Sequence, residues 1–151
     1  MKKVTAMLIV FFVMGVMTGL TNAATIGYID SQKVFSSYEK TKKAEEQFKK
    51  KDQILKDEVA KKQKQYEKAK SDNVSDGDLR KLVEKFEKEL EPKRAEIIES
   101  QKKITQEIRN DIVKTTEATA KKMGFEIVLD KQSIIAGGTD ITDEVIKQLN
   151  K

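Results

Sequence analysis

The sequence predicts an α+β protein: a small strand-bearing body that carries one long antiparallel helical hairpin. Three observations lead there. About half of residues 39–123 are Asp, Glu, Lys or Arg, with apolar residues at helical spacing among them. One strong break, Ser71-Asp72-Asn73-Val74-Ser75-Asp76-Gly77, interrupts that tract. The segments on either side, Ile26–Asp30 and Phe125–Asp130, are short and patterned as strands. A hairpin returns the chain to its starting point, so the two strands meet although the whole arm separates them.

The N-terminus opens with Met1-Lys2-Lys3, continues with an apolar run from Val4 to Leu20, and ends in Thr21-Asn22-Ala23-Ala24. A basic start, an apolar centre and a small-residue exit describe a secretory signal peptide, cleaved after Ala23 or, alternatively, after Ala24. The competing reading is an uncleaved anchor, since a run of about 17 apolar residues sits at the lower limit for spanning a bilayer. Gly15, Gly19 and the small exit residues favour cleavage. Loss of Lys2 and Lys3 takes the basic count from 30 to 28 against 25 acidic residues, leaving a net charge of +3. There is no Cys, His or Trp. Disulfides, thiolate zinc sites and the usual nucleophile–base pairs are therefore excluded. Enzymatic activity is the least favoured class, and no metal or cofactor site is expected.

Thr25-Ile26-Gly27-Tyr28-Ile29-Asp30 is rich in β-formers and makes the first strand. Ser31 is a candidate N-cap. Val34, Phe35 and Tyr38 then pack a helical turn or two against the strands, and Ser36-Ser37 marks a bend before the arm. Along the first limb Ala44, Phe48, Leu55, Val59, Tyr66 and Ala69 form a narrow apolar stripe, with Lys51 and Lys62 on the same line. Its other side is lysine-rich, as in Lys49-Lys50-Lys51 and Lys61-Lys62 with Lys64. Residues 39–70 hold 12 basic and seven acidic side chains, a net of +5. The break then supplies turn residues, and Ser75-Asp76-Gly77-Asp78 resembles a capping box that starts the second limb.

The second limb has the clearest periodicity. Leu79, Leu82, Phe86, Leu90, Ile97, Ile104, Ile108, Ile112 and Met123 share one stripe, with Lys93, Gln101, Thr115 and Thr119 in the remaining slots. From residue 79 to 123 there are 12 steps across 44 residues, or 3.67 per step, an eleven-residue repeat. That period predicts nearly straight or weakly right-handed packing. At a rise of 1.5 Å per residue the limb is ~65 Å long. Pro92 lies inside it and predicts a bend. Lys121 and Lys122 suit the C-terminal dipole, and Gly124 a left-handed C-cap. Phe125, Ile127 and Leu129 then alternate with Glu126, Val128 and Asp130 to give a strand with one apolar face. Ser133-Ile134-Ile135-Ala136 reads as a further strand closed by Gly137-Gly138. A last helix follows, capped by Thr142, with Val145, Ile146 and Leu149 buried.

The organisation expected is thus a signal peptide over residues 1–23, a body from residues 24–38 and 124–151, and an arm over residues 39–123 with its tip near 71–77. A head of ~50 residues buries too little apolar surface to be secure alone. Self-association through the strands (Ile26, Tyr28, Ile29, Phe125, Ile127, Leu129, Ile134 and Ile135) would bury more and satisfy strand edges.

The mature sequence resembles the Skp/OmpH family of periplasmic chaperones along its whole length. The likeness rests on Ile26-Gly27-Tyr28-Ile29-Asp30 followed by Val34-Phe35, on the lysine-rich arm, on the run from Ala120 to Asp130, and on Asp140-Ile141-Thr142 with Val145-Ile146 and Leu149. Each motif is modest; their order and spacing are specific. The resemblance implies a homotrimer with a small β-barrel-like body and three helical tentacles around a cavity. It also implies periplasmic, ATP-independent holding of unfolded outer-membrane proteins. The tip departs from a wholly basic arm, since residues 71–95 carry six basic and seven acidic groups.

Each candidate client-binding residue has a plainer alternative. The field of Lys49, Lys50, Lys51, Lys61, Lys62 and Lys64 would attract acidic clients or, weakly, anionic lipid surfaces; the plainer role is to solvate a long helix. Phe48, Tyr66 and Phe86 either line a client cavity or fill the seam between the limbs. Pairing about residue 74 sets Tyr66 opposite Leu82–Val83 and Val59 opposite Leu90, which favours the seam. Pro92 is either a hinge or a fixed kink. A membrane-anchored coiled-coil stalk is the alternative function, but it leaves the alternation in Phe125–Ala136 unexplained. Nucleic acid is not an expected partner, because charge is mixed and aromatics are few.

Overall fold

The computed structural model describes residues 24–151; residues 1–23, the segment expected to be a signal peptide, lie outside them. Strand β1 (Ile26–Ile29) leads into the short helix α1 (Ser31–Ser37), and Tyr38 separates this from α2 (Glu39–Ser71). A tight turn joins α2 to α3 (Asp76–Met123), after which come β2 (Ile127–Asp130), a 3-10 turn (Lys131–Ser133), β3 (Thr139–Asp140) and α4 (Thr142–Leu149). Helices dominate, and the hairpin of α2 and α3 is the arm expected from the charged tract.

The turn and both ends of α3 follow the sequence signals. Asn73 takes a left-handed conformation at φ 58°, which its short side chain tolerates. Ser75 caps α3: its Oγ accepts from the Asp78 amide at 3.3 Å and donates to Asp78 Oδ2 at 2.8 Å. At the other end Gly124 sits at φ 80°, the Phe125 amide donates to Ala120 O at 2.9 Å, and the Gly124 amide donates to Lys121 O at 3.3 Å. This is the paired-bond ending that a left-handed glycine permits. The helix runs through Pro92 without interruption.

The sheet is three-stranded in the order β2-β1-β3, with β1 parallel to both neighbours. Helix α3 runs past the sheet to the start of β1, where the Thr25 hydroxyl donates to Gly124 O at 2.5 Å. The chain then turns back alongside β1, in the register Ile26↔Ile127 to Ile29↔Asp130. Gly27 leaves room for the Phe125 ring: a Cβ there would meet the ring at 3.3 Å, so glycine is what allows the close approach. The core lies where α1, the base of the arm and α4 meet. It contains Val34, Ala44, Ile108, Ile112, Ala120, Ile141 and Val145, with Ile29 from the sheet.

Several local expectations are corrected. Asp30, not Ser31, caps α1, because its carboxylate takes the Lys33 amide at 2.9 Å. The break before the arm falls at Tyr38, while Ser36 and Ser37 remain helical. The second half of the sheet is not Ser133–Ala136. Asp130 accepts the Gln132 amide and starts a 3-10 turn, so Ile134 and Ile135 swing away from β1. Gly137 and Gly138, at φ 82° and 85°, bring the chain back so that Thr139–Asp140 pairs instead. Phe125 precedes its strand rather than belonging to it. Ile127 and Leu129 are exposed, and Val128 faces the core. Thr142 does not cap α4: Asp140 takes its amide, leaving the Thr142 hydroxyl to accept from the Asp30 amide at 2.9 Å. Val59 and Met123, placed on the stripes, stay exposed at the margin of the seam.

Candidate functional site

The arm seam alternates apolar and ionic layers. Leu79, Leu90 and Ile108 are buried, and Phe48, Leu55, Tyr66, Phe86, Ile97 and Ile104 are half-buried. Between these layers, pairs cross from one limb to the other: Lys51 to Glu96 at 3.3 Å, Lys93 to Glu58 at 2.5 Å, and Lys62 to Glu89. The Lys62 ammonium also lies 4.7 Å from the centroid of the Phe86 ring. Its hydrogen bond holds the Glu89 carboxyl below the usual range. The two lysines on the α2 stripe are thus accounted for by facing acids on α3. Tyr66 lines a shallow depression with Leu79 and Val83, close to the expected pairing.

The remaining lysines named from the sequence, Lys49, Lys50, Lys61 and Lys64, stand exposed on α2. The structure therefore divides the six lysines into four on the solvent face and two in the seam. It brings Phe48 and Tyr66 of α2 and Phe86 of α3 into that same seam, half-covered.

At the base of the arm a second polar cluster joins the limbs. Lys40 reaches Asp111 at 2.9 Å and Glu107 at 3.4 Å, and the Tyr38 hydroxyl donates to Asp111 at 3.2 Å. The hydrogen bond from Lys40 lowers the Asp111 pKa, and Asp111 in turn raises that of Lys40. Partial burial, then the nearby carboxylate, raises the Tyr38 pKa. Sequence reasoning missed this cluster: the pairing register expected for the limbs, extended toward the base, sets Lys40 opposite Ile108–Arg109, short of Asp111.

The body carries exposed apolar surface. Ile26, Ile127 and Leu129 are each about two-fifths exposed, and Ile135 is fully so, at 104%. Each outer strand, β2 and β3, is paired on one side only. A groove of about 990 Å³ opens between α1, α3 and β2, lined by Ile29, Phe35, Ile112, Val113, Phe125 and Leu129 among others. Thr116 also lines it, with a buried hydroxyl that has no hydrogen-bond partner among the described residues. Apolar patches rimmed by polar groups mark contact surfaces. Tyr28 and Ile134 are half-buried, and Ile29 is buried beneath the sheet.

Among the described residues no cluster of His, Cys, Asp or Glu could hold a metal ion, and no helix is long and apolar enough to cross a membrane. The surfaces on view are a charged two-helix arm and an incompletely covered small sheet. They define a coiled-coil-armed protein equipped for contact over extended surfaces. A family model described as outer membrane protein (OmpH-like) matches residues 25–149. The chain belongs to this family, the Skp/OmpH family, which is a family of periplasmic chaperones for outer-membrane proteins. A comparison with curated proteins returned no match.

Proposed function

We propose that this protein is an ATP-independent holdase that binds unfolded outer-membrane proteins in the periplasm and keeps them from aggregating before insertion. The observation that carries the proposal is the family match across residues 25–149, together with an arm that offers charge and half-covered aromatics. In this reading the chain is exported, loses residues 1–23, and is soluble afterwards.

Three copies assemble through residues 24–38 and 124–151 into a barrel-like body. The exposed Ile26, Ile127, Leu129 and Ile135, the open strand edges and the groove supply the surface for that contact. The arms enclose the client. Lys49, Lys50, Lys61 and Lys64 attract acidic segments and, weakly, anionic lipid surfaces. Phe48, Tyr66 and Phe86 meet apolar segments where the seam loosens, and Pro92 is the hinge that adapts the arms to client size.

The decisive experiment mixes the mature protein with an unfolded outer-membrane barrel protein and measures aggregation and complex stoichiometry. Suppression at one trimer per client is expected; no suppression at excess chaperone overturns the holdase reading. Sedimentation is expected to give a trimer, and a stable monomer at micromolar concentration removes the assembly. A Pro92→Ala variant is expected to narrow the range of client sizes; an unchanged range leaves Pro92 a fixed kink.

A further inference from the structure

The two limbs of the arm enter the body differently. Helix α3 runs into the core unbroken, burying Ile108, Ile112, Thr116, Thr119 and Ala120 along the way. Helix α2 is cut from α1 by one residue, Tyr38, at φ −72° and ψ 124°. An extended residue between two helices leaves the last carbonyls of one and the first amides of the next without helical partners. The Thr41 and Lys42 amides both turn to Tyr38 O, at 3.0 and 3.2 Å, and the Tyr38 amide reaches Val34 O at 3.1 Å. The Glu39 amide and the Ser37 carbonyl are among the groups left over.

Asn150, just beyond α4, meets both. Its Oδ1 accepts from the Glu39 amide at 2.8 Å, and its Nδ2 donates to Ser37 O at 3.0 Å. Only a planar side-chain amide presents a donor and an acceptor side by side, so this pair of bonds fits Asn in one orientation. Asn150 is held in place by α4, whose Ile141 and Val145 lie in the core. On α3 the joint is tied by Tyr38 and Lys40 to Asp111.

We infer that Tyr38 is the flexure at the root of the arm and that Asn150 is a positioning residue that clasps it, so the C-terminal end of the chain sets the angle at which α2 leaves the body. The clasp makes the arm root depend on a segment 111 residues away in sequence. Loosening it frees the first turn of α2 while α3 stays anchored, so the limbs shear at their base. This role does not depend on what the arm holds.

The test uses the whole mature protein with Asn150→Ala and Asn150→Asp, followed by amide hydrogen exchange. In Asn150→Ala, exchange over residues 39–44 is expected to quicken roughly thirtyfold, the factor that two hydrogen bonds of ordinary net strength imply. Exchange over Thr116–Met123 and Ile141–Leu149 is expected to stay at the parent rate. Asn150→Asp keeps an acceptor for the Glu39 amide but sets a carboxylate oxygen against Ser37 O, and should also quicken exchange at the joint. Because the natural chain has no cysteine, Gln32→Cys and Gln47→Cys give a unique spin-label pair across the joint, measured with labelled chains diluted into unlabelled ones. The clasp predicts a broader distance distribution in Asn150→Ala. An unchanged distribution, or exchange that quickens throughout α4 rather than at the joint, overturns the inference and leaves Asn150 as the end of a helix.

Discussion

The base of the arm and its distal half are built from the same two helices but are held by different forces. At the base, Ala44, Ile108, Ile112 and Ala120 share one core with α1 and α4, and Ile108 is only 2% exposed. Farther out, the limbs meet as a strip one or two side chains wide, in which Lys51–Glu96, Glu58–Lys93 and Lys62–Glu89 separate the apolar layers. Buried apolar area contributes about 25 cal/mol per Å², whereas exposed ion pairs contribute ~0–1 kcal/mol each. The base therefore carries the stability and the distal half carries reach. Under the proposed holdase function, a seam that opens at low energetic cost lets the arm wrap a client.

The sharpest way to break this contrast is a pair of truncations. Ile108→Ala at the base should cost about 2–5 kcal/mol and lower the melting temperature of the whole protein. Ile97→Ala, half-buried in the distal seam, should cost far less and show itself as local amide exchange around it. Equal losses in thermal denaturation would mean that the arm is one cooperative unit with the body.

Gly124→Ala ranks second. Nothing lies within 4 Å of the added Cβ, so the penalty is the left-handed conformation alone, roughly 1–2 kcal/mol by denaturant unfolding. The return of α3 to the sheet should loosen while the distal arm stays unchanged.

The base cluster predicts a pH dependence. Lys40 and Tyr38 lower the Asp111 pKa below that of the unfolded chain. Stability from this group is therefore complete above the ordinary Asp value, near 3.8, and is lost as pH falls through the lower folded value. Asp140, held down by Thr142, acts in the same direction. Asp111→Asn should flatten the acid limb of a stability–pH curve; a curve parallel to the parent's would remove the cluster from the account.

The smallest effect belongs to the distal pairs. Lys93→Ala should cost about 0.2–1 kcal/mol, and the loss should shrink in 1 M salt, where the screening length falls to about 3 Å. A loss independent of salt would point to packing by the lysine stem instead.

How much of this was legible in sequence differs between the same two regions. Long-range periodicity gave the limbs, the turn at Ser71–Ser75 and the end at Gly124, because each is a local signal repeated or doubled. The pairing register set Tyr66 opposite Leu82–Val83, and in the structure Tyr66 shares a depression with Leu79 and Val83. The body was less legible. Ser133–Ala136 has the composition of a strand, yet Asp130 diverts it by capping a 3-10 turn. Asp30, Thr142 and Asp140 form one connected node that no single-position capping preference reveals, because the Asp30 amide and Thr142 hydroxyl are 112 residues apart. Lys51 and Lys62 fall on the apolar stripe and also belong to the lysine field; the structure sets both in the seam, facing acids on α3. Asn150 carried no signal at all, since its partners are backbone atoms of a distant joint.

The parallel pairing of β1 with β2 has a consequence for the order of folding. Ile26 cannot find Ile127 until the whole arm has been made, and closing so long a loop as random chain is slow. A hairpin that zips first brings its own ends together and shortens the effective loop; a fourfold reduction recovers about 1 kcal/mol of closure entropy. Helix formation should therefore precede strand docking in refolding, with the far-ultraviolet signal developing before Tyr28 reaches its native environment. Simultaneous phases would refute that sequence of events. The limb length that gives the arm its reach is then also what times the completion of the body.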